Sequence, residues 1–168
     1  MATKTFDAQS GGTHSWTLVS GATIGECLNA SDDGKYAYHG WESWHNWLGV
    51  PITAETNTTS KINSVTYWAR GYRSAADAGG MCVFGWLVGG DPFAPLFPNL
   101  ELSAADYSTS PITVSPKTGL AWTWAEFNAI TLQGYNFQQH NMTQYIDHVW
   151  LVVDYTPAAN HRFFFFGH

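Results

Sequence analysis

Apolar and polar positions alternate along much of this chain with a period of two, the spacing that sends successive side chains to opposite faces of a β-strand. His14, Trp16 and Leu18 alternate with Ser15, Thr17 and Val19 between Gly11-Gly12 and Ser20-Gly21. Tyr36 and Tyr38 alternate again after the turn-forming run Asn29 to Gly34. From Lys61 to Tyr72, Val65, Tyr67 and Ala69 take one face while Thr66, Trp68 and Arg70 take the other. Met81 to Val88 is a nearly unbroken apolar run, which predicts a central strand covered on both sides, with Gly85 marking a bulge or a close backbone contact. Thr143 to Tyr155 is the longest strand pattern and is predicted to lie mid-sheet. Strict alternation places its Tyr145 with Val149, Leu151 and Val153, places Ile146 with Trp150 and Val152, and sends Asp147 and His148 to opposite faces.

Weaker patterns fill the gaps. Met1 to Ser10 reads as an edge strand or an arm, Thr23 to Leu28 as a short apolar run, and Leu100 to Ser110 as a further edge strand. Three prolines between Asp91 and Pro98 forbid a central strand there and predict an extended loop carrying Phe93 and Phe97. The strongest local signal is Ser115 to Ile130. Thr118-Gly119 makes a tight turn, and Thr123 stands three residues before Glu126, the spacing of a capping box that starts a helix. Trp124, Phe127 and Ile130 then recur on one face and press that helix onto the core, with Gly134 closing the segment before a strand from Tyr135 to His140. These elements predict an all-β antiparallel sandwich with one short helix at about 124–131. The organisation is a single sandwich domain over 1–156 followed by an apolar arm over 157–168.

At 168 residues the chain is long enough to bury a real core. Charged residues are only 12% of it, so Thr, Ser, Asn, Gln and Gly must supply surface polarity, or a partner must cover part of the surface. Nine Trp within an aromatic share of 16% fill a bulky core or provide stacking surfaces for sugars and for neighbouring subunits. A net charge of −6 with seven Lys plus Arg excludes a nucleic-acid footprint. No apolar run of about 18 residues predicts a membrane helix, and Met-Ala-Thr-Lys-Thr lacks the apolar centre of a secretory signal, so a product released in the cytoplasm is expected. Cys27 and Cys82 are too few for a disulfide framework and are read as free thiols.

Candidate chemistry is sparse. Asp32 and Asp33 offer two adjacent carboxylates where calcium needs six or more oxygens, and His39 and His45 have no third ligand in view, so neither a metal nor a cofactor is expected. Glycoside hydrolysis needs two facing carboxylates and none pair recognisably; Ser-His-Asp catalysis has its parts but no nucleophile elbow. The chain reads as a non-enzyme. Trp41, Trp44 and Trp47 are spaced by three, with Glu42, His45 and Asn46 between them: a buried helical turn, a loop packing under the sheet, or an exposed platform on which sugar rings stack. Phe163, Phe164, Phe165 and Phe166 cannot all enter one core from an extended tail, where burying each is worth roughly 1.5–3 kcal/mol. A neighbouring subunit is their expected partner, with packing into a groove of the same chain as the alternative.

The order Pro116-x-Thr118-Gly119-x-Ala121-Trp122-Thr123, a short helix, Gly134, and Thr143-Gln144 followed by Val149, Val153 and Tyr155 resembles small β-sandwich virion structural proteins of tailed bacteriophages. The resemblance covers residues 115–155, implies a jelly-roll-like sandwich and a role in a particle, and transfers no active site. It implies a head decoration, minor capsid or tail component located in the virion and made in the host cytoplasm. Its partners would be other virion proteins or further copies of itself, with no nucleic acid or membrane. The alternative is a carbohydrate-binding β-sandwich with a glycan on the Trp41, Trp44 and Trp47 platform.

Overall fold

The computed structural model describes residues 1–39, 47–74, 81–96, 99–137 and 143–158. They form two packed antiparallel sheets with two short helices, a jelly-roll β-sandwich. The strands are β1 (Ala2–Asp7), β2 (Thr13–His14), β3 (Thr17–Val19), β4 (Tyr36–His39), β5 (Trp47–Pro51), β6 (Lys61–Arg73), β7 (Met81–Val88), β8 (Asp91–Leu96), β9 (Ala105–Ser108), β10 (Ile130–Phe137) and β11 (Gln144–Thr156). The helices are α1 (Ile24–Cys27) and α2 (Trp124–Asn128). One sheet has six strands in the order β3-β4-β11-β6-β9, with β1 also paired to β11; the other has five, in the order β2-β5-β10-β7-β8.

The apolar faces meet between the sheets. Val65, Tyr67 and Ala69 from β6, and Val149, Leu151 and Val153 from β11, are fully buried against Trp86, Val88 and Leu132 of the other sheet. The Tyr67 hydroxyl donates to the Gln133 carbonyl at 3.2 Å, a buried polar link between the layers. At one end α2 seals the core, its Phe127 ring standing edge-on to Phe6 at 4.7 Å. Helix α2 begins as its sequence predicts: the Thr123 side chain accepts from the Glu126 N–H, and the Glu126 carboxylate accepts from the Thr123 N–H. It ends at Asn128, shorter than expected, because Ile130 to Gly134 already pair with β5 and β7. Ile130 is therefore a buried strand residue and Gly134 lies within β10.

Other expectations are also adjusted. The proline-rich run is an edge strand, β8, which loses nothing by lacking amide donors on its open side. Gly85 stands at the register shift between Phe84 and Trp86, where the extra residue lies in the partner strand β8 and not in β7. The run His14 to Val19 divides between β2 and β3, which belong to different sheets. The short apolar run after Gly21 is helix α1, capped by Thr23, whose hydroxyl accepts from the Glu26 N–H. Cys27 of that helix is a free, buried thiol.

Candidate functional site

The site follows from one irregularity in β11. Pairing with β6 slips between Ile146 and His148, leaving Asp147 as an extra residue in the strand. Strict alternation would have put Tyr145 on the inner face with Val149. The bulge instead leaves Ile146 and Val149 inside and turns Tyr145, His148 and Trp150 outward together. The expected face assignment of Tyr145 and Ile146 is thus reversed, because a bulge changes parity without changing residue type.

Registry then fixes three rows across the outer face of the six-stranded sheet. Tyr38, Tyr145 and Tyr72 stand opposite one another on β4, β11 and β6. The next row holds His148, Arg70 and Asp106 on β11, β6 and β9. The third runs from Asp7 of β1 through Trp150 and Trp68 to Ser108. Two residues separate each row from the next along β6, so the outer rows lie ~13 Å apart.

The aromatic side chains of both outer rows are half-buried on this face of the sheet. Tyr72 stacks on Tyr145 at 4.4 Å with 5° between planes, and Tyr36 and Tyr38 each lie 5.8 Å from Tyr145. Trp68 stacks on Trp150 at 5.6 Å and 13°, and His148 stacks on the same Trp150 at 4.2 Å and 22°. The middle row is charged. Arg70 donates to Asp106 at 3.0 Å and to both Asp32 carboxylate oxygens at 3.1 and 3.3 Å, and its Nε stands 3.4 Å from Asp147. These contacts raise the Arg70 pKa, chiefly through the bond to Asp106.

The loop from Asn29 to Lys35 folds over the bulge. Asp32 takes a left-handed φ of 57°, and its N–H donates to both oxygens of Asp147 at 3.2 and 3.3 Å. Burial pushes the Asp147 carboxyl above the usual aspartate range despite that backbone bond. Asp32, Gly34, Lys35, Tyr36, Tyr72 and Asp147 line a cleft of about 290 Å³ beside the tyrosine row.

Ser31 of the same loop bonds His148 Nδ1 at 3.0 Å, and His148 Nε2 bonds Asp7 at 3.1 Å. An ionised carboxylate only accepts, so with Asp7 ionised Nε2 carries the proton and a neutral ring offers Nδ1 to the Ser31 hydroxyl. The connectivity is that of nucleophile, base and orienting acid. The N–H that follows Ser31, the natural oxyanion donor, is spent on Asp147, and the nearest cation is engaged by three carboxylates. What the arrangement does supply is a strap that holds the imidazole flat on Trp150.

The sequence-predicted positions fall elsewhere. Trp41 and Trp44, and Phe163, Phe164, Phe165 and Phe166, lie outside the described residues, as does His45. Trp47 is the first residue of β5, where its backbone pairs opposite Tyr135. Asp32 and Asp33 do not act together: Asp32 turns to Arg70, while Asp33 accepts from the Lys35 N–H and pairs with its ammonium at 3.4 Å. Among the described residues no group of three or more His, Cys, Asp or Glu is disposed to hold a metal ion.

No protein-family model and no curated relative matches this sequence. Solved structures do. The C-terminal CBM6 of LamC, a marine laminarinase from Zobellia galactanivorans, superposes with a TM-score of 0.50 at 11% identity, over 91% of this chain and 100% of that one. The CBM36-1 domain of a multidomain xylanase from the hindgut metagenome of Trinervitermes trinervoides gives 0.49 at 8% identity, over 94% and 100%. CBM86, a low-affinity xylan-binding module from Roseburia intestinalis, gives 0.45 at 15%, over 93% and 97%. The likeness is one of fold.

It corrects the expected kinship with virion proteins of tailed phages, and with it the virion location, the particle role and the virion partners. The laminarinase structure on which the chain superposes is a carbohydrate-binding module. The physical reason is visible in the segment that carried the resemblance. Residues 115–155 supply a turn, the capping box and two central strands. Such features specify a sandwich scaffold, not what its surface meets.

Proposed function

We propose that this protein is a non-catalytic carbohydrate-binding module that holds a glycan chain along the outer face of its six-stranded sheet. The observation that carries the reading is the pair of parallel ring stacks, Tyr72 with Tyr145 and Trp68 with Trp150, half-buried on one face of the sheet and ~13 Å apart. Apolar C–H faces of pyranose rings pack against aromatic surface, while hydroxyls around the sugar ring need donors and acceptors at the margins. Asp106, Asp32 and Ser108 lie between and beside the ring pairs in that role. A spacing of this length suits an oligosaccharide segment better than a single sugar. The laminarinase module contributes the scaffold to this argument; the rings contribute the ligand.

The test is calorimetry or NMR titration of the purified chain against soluble β-glucans, xylans and xyloglucans, alongside Y72A and W150A. Binding by the parent chain that drops in both variants supports the reading. A parent chain that binds a glycan with undiminished affinity in both variants moves the site off this face.

A further inference from the structure

We infer that the site is built for uncharged glycans and rejects acidic ones, and that it does so by masking its own arginine. This inference rests on the carbohydrate-binding reading. Arg70 is the guanidinium between the two ring stacks, where a bound chain must cross. An arginine presented to solvent in such a place is the residue best shaped to grip a uronate or sulfate through paired N–H donors. Here those donors are turned inward on protein carboxylates: Nη1 on Asp106, Nη2 on Asp32, and Nε facing Asp147. Its side chain is only 21% exposed, whereas Asp32 and Asp106 are 71% and 47% exposed and form the outer surface of the knot.

The cleft beside Tyr72 has the same polarity. Asp32 and Asp147 line it, and its one lining cation, Lys35, is paired to Asp33. Around Arg70 and the cleft, Asp32, Asp33, Asp106 and Asp147 therefore stand against Arg70 and Lys35, while His148 of the same row is paired with a further carboxylate, Asp7. Protonation of Asp147 would leave three carboxylates and the same sign. Carboxylates accept and never donate, so their complement is a sugar hydroxyl. An anionic glycan meets repulsion with no compensating donor pair, and specificity by such a repulsive element needs no extra contact to the preferred ligand. The chain's overall charge of −6 acts in the same direction at long range.

The experiment measures binding of the full chain to three uncharged polysaccharides (mixed-linkage β-glucan, unsubstituted xylan and xyloglucan) and two acidic ones (polygalacturonate and alginate). It is done at low and at high salt, for the parent chain and for D32N/D106N. The expected result is at least tenfold weaker binding of the acidic chains at low salt, a gap that narrows as salt screens the repulsion. In D32N/D106N, acidic chains gain at least fivefold relative to uncharged ones. Acidic chains bound by the parent as well as uncharged ones would overturn this inference while leaving the carbohydrate-binding reading standing. A parent chain that binds none of the five would overturn that reading itself. Should the double variant fail to melt cooperatively, the salt series on the parent decides alone.

Discussion

Tyr72 and Tyr145 face each other across β6 and β11 with their rings 4.4 Å apart and 5° from parallel. They come from strands separated by about 70 residues of chain, and they meet on the surface only because Asp147 bulges out of β11 three residues before Trp150. The bulge thus does two things at once: it aligns both ring stacks on one face, and it places a buried carboxylate beside the cleft.

Replacing Tyr72 or Trp150 by Ala removes half of one stack from a half-exposed surface. Thermal stability should fall by about 1 kcal/mol, the usual worth of an aromatic pair. Glycan affinity should fall by about tenfold or more, equal to about 1.4 kcal/mol. Calorimetric titration and melting curves on the same samples separate the two effects.

Deleting Asp147 removes the bulge and restores strict alternation. Tyr145 then stays outward, Ile146 inward, His148 outward and Val149 inward, so the ladder with β6 closes and both faces keep their side chains. What is lost is the carboxylate that accepts from the Asp32 N–H and faces Arg70 Nε, so a loss of about 1–3 kcal/mol is expected. Urea denaturation checks it; a deletion variant that no longer unfolds cooperatively would mean that the bulge itself is needed to hold the sandwich.

Two carboxylates give stability opposite dependences on pH. Glu55 is buried and bonded to Lys4 at 2.6 Å and to the Asn57 N–H at 2.7 Å, which hold its pKa below the ordinary glutamate value. A lowered folded pKa means the contribution is present above the ordinary value and is lost as pH falls through the folded one. Asp147, raised by burial, disfavours the folded state above its folded pKa, and this penalty is relieved as pH falls toward the ordinary aspartate value. Lys4→Met should therefore cost about 1 kcal/mol near neutrality and converge with the parent in acid. Melting temperatures from pH 2 to 7 measure both curves.

Thr123→Ala removes the hydroxyl that caps α2 and should destabilise by about 1 kcal/mol. Glu126 belongs to the same unit: burial would raise its pKa, but bonds from Thr123, Ser115 and Thr118 together hold it down. T123A and E126A should therefore be less than additive in a double-mutant cycle, because each leaves the other's bond already broken.

Cys27 is fully buried, its thiol pKa raised by that burial, and its Sγ lies 3.7 Å from the Val19 carbonyl. Only the thiolate alkylates, so iodoacetamide should label Cys27 on unfolding and not before. Peptide mass mapping before and after denaturant reads this site separately from Cys82.

The scaffold was legible because its causes are local. Alternation in Lys61 to Tyr72 is set by residue type, and β6 sends the expected side chains inward and outward. Thr123 with Glu126 announced a cap that the structure contains. The same capping spacing at Thr23 and Glu26 signalled α1 and went unread, since the apolar run around it is equally compatible with a strand.

The site was not legible for the opposite reason. Nothing in the residues Tyr145, Ile146, Asp147 and His148 states where the pairing slips; that is decided by the whole ladder with β6 and by the loop from Asn29 to Lys35 that closes over it. Sequence density drew attention to Trp41, Trp44 and Trp47, because neighbours in the chain are easy to count. The platform that the described residues form is gathered instead from β4, β6 and β11, one or two rings from each. By itself the sequence determined a two-layer antiparallel sandwich, its capped helix and its buried faces, all consequences of short-range periodicity. Only the tertiary structure decided which rings share a surface and that Arg70 between them is masked, because strand register and parity are properties of pairing between distant segments.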